Sequence, residues 1–157
     1  MGITPSYIVF PSGNLSPSPV GGDLPSWVAA TTPGQWFEIP NSAPNAVVLN
    51  HAVIDSWNGA ALDPRDSKLY LVANGGHSDY AGNESYVFDA QREVPIWTMP
   101  RASTHNGTEA CVAFYLSGDP CARHTYYGSI INTFDNRVML VGGAWFCSAG
   151  IPILPTL

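Results

Sequence analysis

Residues 59–99 read GAALDPRDSKLYLVANGGHSDYAGNESYVFDAQREVPIWTM, and this stretch decides the fold. It divides into four short apolar runs, 59–62, 69–73, 85–88 and 96–99, with turn chemistry between them. A polar DPRDSK corner separates the first two runs, and Asn74-Gly75-Gly76 ends the second. The loop 77–82 leads to the third run, and a second polar corner, 89–95, leads to the fourth. Short β-type runs punctuated in this way predict an antiparallel four-stranded meander, and hence an all-β chain. A single meander has two faces, and each needs a cover.

Particular residues give the meander a family likeness. Gly75 and Gly76 follow the second strand, where positive φ and a close backbone approach favour glycine. Tyr86 and the Phe88-Asp89 pair lie on the third strand, and Trp97 lies on the fourth. Large flat side chains at such positions cover the area between stacked sheets. As a set, these residues resemble one blade of a kelch-type β-propeller (of the kind found in galactose-oxidase central domains). The likeness extends to uncharacterised kelch-like proteins of bacteria and bacteriophages.

An internal repeat extends the likeness. Asp55-Ser56-Trp57-Asn58-Gly59 matches His124-Thr125-Tyr126-Tyr127-Gly128 in the pattern polar, hydroxyl, aromatic, any, glycine. LYLVANGG, 69–76, matches VMLVGG, 138–143, with the corner DPRDSK read against a shorter FDNR. The glycine pairs are 67 residues apart, from Gly75 to Gly142, against about 50 for a kelch repeat. An insertion at 101–122 accounts for the excess. The second copy stops after Gly143, so blade-like sequence covers 36–143 as one whole blade, half of another and one outlying strand. Three explanations stay open for the incomplete repeat: a piece of a longer propeller, assembly with other chains, or a different β-fold that borrows the blade signature.

Outside this core, residues 1–35 are rich in Pro, Gly and Ser and are expected to be loop-dominated, with one strand at 7–10. Trp36-Phe37-Glu38-Ile39-Pro40 echoes Ile96-Trp97-Thr98-Met99-Pro100, which predicts an outlying fourth-strand equivalent at 36–40. The apolar, β-branched stretch 46–54 follows. In the tail, 144–157, Pro152 and Pro155 speak against a central strand, and irregular structure is expected.

Composition bounds the function. The 157 residues suit one domain. Fifteen glycines and fourteen prolines favour turns over helices. A net charge of −6 offers no basic patch to neutralise phosphates, which argues against nucleic acid or an anionic membrane as the main partner. No apolar stretch reaches the length of a membrane span, and the opening MGITPSYIVFPSG lacks the marks of a signal peptide. Three cysteines, Cys111, Cys121 and Cys147, leave two possibilities: a Cys111–Cys121 bridge or three reduced thiols.

In a meander, the loop entering strand one and the loop joining strands two and three share one end of the sheet. That places Asp55, Trp57, His77, Asp79, Tyr80 and Asn83 together, with His105, Arg123 and His124 joining them from the insertion and the second repeat. These are the candidate binding residues, since ligands collect on loops held by a rigid scaffold. The loop HSDYAGNE could hydrogen-bond and stack on a sugar, or Asp79 and Asn83 could simply bond the loop's own backbone. Arg123 could meet a carboxylate or cap a loop. His77 and Asp79 with His105 or His124 lack the spacing of a compact metal site. The corner holding Asp63, Arg65, Asp66 and Lys68 reads as a solvated turn.

No nucleophile elbow, phosphate loop or zinc-protease motif occurs, and neither a metal nor a cofactor is implied. The expected function is therefore a non-enzymatic binding or structural module that presents its loops to a glycan or protein partner, including as a virion component built with other chains. The alternative implied by the resemblance is a sugar-acting enzyme of epimerase, mutarotase or oxidase type.

Overall fold

The computed structural model describes residues 6–8, 24–43, 58–73, 82–104 and 114–145. Their regular structure is nearly all strand. The strands are β1 (Ser6–Ile8), β2 (Ala61–Asp63), β3 (Lys68–Val72), β4 (Ser85–Asp89), β5 (Ile96–Arg101), β6 (Arg123–His124), β7 (Ser129–Asn132), β8 (Arg137–Leu140) and β9 (Ala144–Trp145), with one helical turn, α1 (Ser26–Ala29). The protein is all-β, and β2-β3-β4-β5 form a four-stranded antiparallel meander in sequence order. A three-stranded sheet has the order β1-β8-β7, and β6 pairs with β9.

Alternation along the meander sorts its side chains onto two faces. Ala61, Tyr70, Val72 and Val87 lie on one face and pack against Val138 and Leu140 of the second sheet, with Ile131 beside them. Leu71, Tyr86, Phe88 and Trp97 lie on the other face, with Ile39, Leu69 and Ala90 packed against them. Each face thus has a separate cover: the β7–β8 hairpin on one, and residues 36–43 on the other.

The two hairpins β2–β3 and β7–β8 are structural equivalents, 69 residues apart from Gly59 to Gly128. Each turn joins paired ends, Asp63 with Lys68 and Asn132 with Arg137, through four residues. Ser67 and Asn136 hold positive φ at the same turn position, +50° and +57°. Asp63 Oδ1 accepts the Arg65 N–H at 3.0 Å, and Asn132 Oδ1 accepts the Phe134 N–H at 3.1 Å, so both turns open with the same side-chain bond. The second corner is therefore not shorter than the first. The strands repeat at a spacing of 69, and the glycine pairs are out of step because ANGG in one copy stands against GG in the other.

This register fixes how the sheets stack. Val138 and Leu140 occupy the positions of Leu69 and Leu71. One face of the first sheet therefore packs on the opposite face of the second. The contact is head-to-tail, the kind that closes into a ring or runs on. The matching outward face of the second sheet carries Ile130 and Val141, 46% and 59% exposed.

Two expectations need correction. Residues 36–40 form no strand: Trp36 is fully exposed, and Ile39 alone of the five joins a core cluster. The tail does not begin irregular, because Ala144–Trp145 pairs with Arg123–His124. The strand expected at 7–10 is present as Ser6–Ile8, paired with β8, and residues 9–10 lie outside the described residues. The stretch 46–54 lies outside the described residues. The region 24–43 straps the meander from outside. Ser26 N donates to Glu93 Oε2 at 2.9 Å, Trp27 Nε1 donates to the Arg92 carbonyl at 3.2 Å, and Trp97 Nε1 donates to the Ser42 carbonyl at 3.0 Å.

Candidate functional site

The meander has two ends, and both hold polar side chains. At the loop end the structure brings together Asn83, Arg123 and His124. Asp55, Trp57, His77, Asp79, Tyr80 and His105 lie outside the described residues, as do Gly75 and Gly76.

Asn83 is completely buried, and its amide is engaged by the protein. Its Nδ2 donates to Thr104 Oγ1 and to the Pro120 carbonyl, both at 3.0 Å, and its Oδ1 accepts the Thr104 N–H at 2.9 Å. An amide so engaged ties the start of β4 to the segment after β5 and to the stretch before β6. It works as a structural clasp. Arg123 is also buried. Its backbone N–H donates to the Ala73 carbonyl at 3.0 Å, and its Nε and Nη1 lie 3.4 Å from the carbonyls of Cys121 and Gly142. Burial pushes its pKa down, but a guanidinium keeps its charge. Its place among carbonyls is that of a cap joining β6 to the end of the second repeat. Gly143, at φ +90°, passes so close that a Cβ there would sit 2.7 Å from the His124 carbonyl oxygen. His124 is half-buried, with its ring edge-on to Tyr126 at 6.0 Å.

Beneath these residues lies a buried polar group without a signal in the sequence. Glu84 Oε1 accepts the Tyr86 hydroxyl at 2.8 Å, and Glu84 Oε2 makes no hydrogen bond. Tyr115 and Cys121 lie nearby. Burial, followed by the hydrogen bond with the Cys121 thiol, pushes the Tyr115 hydroxyl up from its ordinary pKa. Cys121 is a buried free thiol, and Cys111 lies outside the described residues. Among the described residues, no cluster of His, Cys, Asp or Glu could hold a metal ion, and no helix is long and apolar enough to cross a membrane.

The opposite end overturns the reading of DPRDSK as a solvated corner. Asp63 and Asp66 are buried. Arg65 holds Asp63 with two bonds, Nε to Oδ1 at 2.9 Å and Nη2 to Oδ2 at 2.5 Å. The same guanidinium crosses to the second hairpin, donating through Nη1 to Asn136 Oδ1 at 2.6 Å and to the Thr133 carbonyl at 3.1 Å. Lys68 Nζ pairs with Asp66 Oδ2 at 3.1 Å. One planar fork thus joins the two repeats, a use that suits arginine and not lysine. A cleft of about 240 Å³ opens between the sheets beside this bridge, with Tyr70, Val87, Ile131 and Val138 among its walls.

The Arg65 bond holds the Asp63 carboxyl below its ordinary pKa, more than offsetting the effect of burial. A carboxylate depressed by folding stabilises the fold above its unfolded value, near 4, and loses that contribution as pH falls through the lower folded value. Asp63→Asn keeps the turn bond, as Asn132 does in the other repeat, but removes the charge. We expect Asp63→Asn to be less stable than the parent at pH 7 and the two stability curves to converge below about pH 4. Urea midpoints taken across that range read this directly. A constant gap at every pH would mean that the ion pair contributes nothing.

No protein family, curated protein or solved structure matches the chain.

Proposed function

We propose that the chain is a non-enzymatic binding and interaction module of kelch-like propeller type, whose partner is a protein that adds a further sheet to the stack. The observation that carries this reading is the head-to-tail packing of its two repeats. The face holding Ala61, Tyr70 and Val72 is covered by the next sheet, and its equivalent, with Ile130, Met139 and Val141, is exposed or half-buried. Apolar side chains arrayed on a sheet face are a protein-interaction signal. The loop-end candidates give the enzyme reading no support, since Asn83 and Arg123 are engaged by the fold.

Native mass in solution tests this reading. The protein is expected to form a discrete assembly of its own copies, or one with an added partner chain, by light scattering. Ile130→Asp with Val141→Asp is expected to return it to a folded monomer, because a charge buried at such an interface is costly. A parent protein that stays monomeric, fully folded and without a partner in pull-down would sink the proposal.

A further inference from the structure

The cleft between the two sheets is a built feature, and neither the repeat packing nor the turn bridge accounts for it. Strands β2 and β7 form the main strand-to-strand contact between the two sheets. Between them lies a space walled by Tyr70, Val87, Ile131 and Val138, with Thr98 and Pro100 of β5 on the far side. The volume, about 240 Å³, lies just below the usual range of ligand pockets, roughly 300–1,000 Å³. It suits one ring, not an extended chain.

The charges at the rim limit what that ring can be. Asp63 is neutralised by Arg65, and Lys68 by Asp66. The remaining rim charges, Asp89 and Arg92, are of opposite sign. Asp89 Oδ1 accepts the Gln91 N–H at 3.1 Å in a turn, which leaves Oδ2 open. The Arg92 guanidinium makes no ion pair among the described residues, and only the Arg92 carbonyl is engaged, by Trp27. The cleft is therefore neutral overall and favours neither an anion nor a cation. It offers one carboxylate oxygen that only accepts, one guanidinium that only donates, and the Thr98 hydroxyl, which donates to the Val87 carbonyl at 3.4 Å and can still accept, above an apolar floor. A ligand that fits must give and take hydrogen bonds around one edge while laying an apolar flank on the floor.

We propose that this cleft binds a single neutral sugar ring, with vicinal hydroxyls donating to Asp89 and accepting from Arg92. Ring C–H groups lie against Ile131 and Pro100, the accessible part of the apolar lining. The site is separate from the exposed Ile130 and Val141 face, so it stands or falls apart from the assembly proposed above.

The test is titration of the full chain with methyl β-D-glucopyranoside, methyl β-D-galactopyranoside and N-acetylglucosamine, followed by amide chemical shifts. Benzoate and benzyltrimethylammonium are the charged probes. At least one sugar is expected to bind, with shifts centred on Tyr70, Val87, Thr98 and Ile131, and the charged probes are expected to bind more weakly. Asp89→Asn keeps the turn bond to Gln91 and removes the charge. It and Arg92→Ala are each expected to weaken sugar binding about tenfold, the loss of one charge-assisted hydrogen bond. The Ile130→Asp, Val141→Asp protein is expected to bind the sugar as the parent does. Absence of shifts with all three sugars would overturn the proposal. So would equal binding of benzoate, or sugar shifts that both rim variants leave unchanged.

Discussion

Trp97→Ala is expected to lower the free energy of unfolding by about 3–5 kcal/mol, the range for emptying a large aromatic from a packed core. Trp97 is 5% exposed on the outer face of the meander, against Leu71, Tyr86 and Phe88. Its ring lies 5.1 Å from that of Phe88. Its Nε1 also holds the Ser42 carbonyl, so the same side chain fills the face and pins the strap that covers it. Removing it exposes Ile39 and loosens 36–43 together with the cavity it leaves. A small domain holds only about 5–15 kcal/mol in total, so the variant is expected to sit near the edge of folding. Urea unfolding of the parent, Trp97→Phe and Trp97→Ala gives the measurement. Trp97→Phe keeps most of the contact area and loses the hydrogen bond, so it should fall between the other two. An alanine variant within about 1 kcal/mol of the parent would show that the strap, and not the tryptophan, holds this face.

How much of this was legible in the sequence depends on what each residue answers to. The four strands of the meander were legible because their signals are local. Alternation, Asp-Pro and Asn-Gly-Gly corners, and short β-branched runs act within a few residues. The strand expected at 36–40 failed because Trp36-Phe37-Glu38-Ile39-Pro40 copies the composition of β5 but has no neighbour with which to exchange backbone bonds. It covers the sheet through Ile39 and the Ser42 carbonyl. Arg65 was misread for the opposite reason. Nothing near it in sequence shows that a second turn, with Thr133 and Asn136, comes to within reach of its guanidinium.

The candidate site was the less legible part. Topology assigns Asn83 and Arg123 to one end of the sheet, but it does not say whether a polar side chain faces solvent or backbone. Both proved to be engaged with carbonyls and hydroxyls of the fold. The cleft at the other end could not be read, because its two walls come from different repeats and its apolar lining looks in sequence like any core. Asp89 and Arg92 bracket a turn that by itself has no reason to be more than a turn.

Gly59→Ala is expected to be nearly as costly as Trp97→Ala, and for a different cause. A Cβ at Gly59 would lie 1.5 Å from the Tyr126 carbonyl oxygen and 2.7 Å from its carbon. No side-chain rotation relieves a clash with backbone, so residues 125–127 must move by more than an ångström. Such a shift breaks the join between the repeats. Thr125 Oγ1 accepts the Gly59 N–H at 2.8 Å and lies 3.3 Å from the Gly59 carbonyl, to which it donates. Thr125 is buried, and a backbone N–H left unpaired there costs about 1–3 kcal/mol before any packing between the sheets is lost. The repeated hydroxyl–aromatic–any–glycine pattern thus has a physical content in its second copy. The threonine bonds the first repeat's glycine, and Tyr126, at φ +47°, turns its carbonyl onto it. Gly34 supplies the control. It has φ +80° with nothing within 4 Å of a built Cβ, so Gly34→Ala carries only the conformational penalty, about 1–2 kcal/mol. Gly59→Ala is expected to lose at least about 3 kcal/mol, with a broader urea transition as the second sheet loosens ahead of the meander. Equal losses in the two variants would mean that the second repeat does not seat against the first at Gly59. The head-to-tail stacking on which the interaction reading rests would then have to be given up.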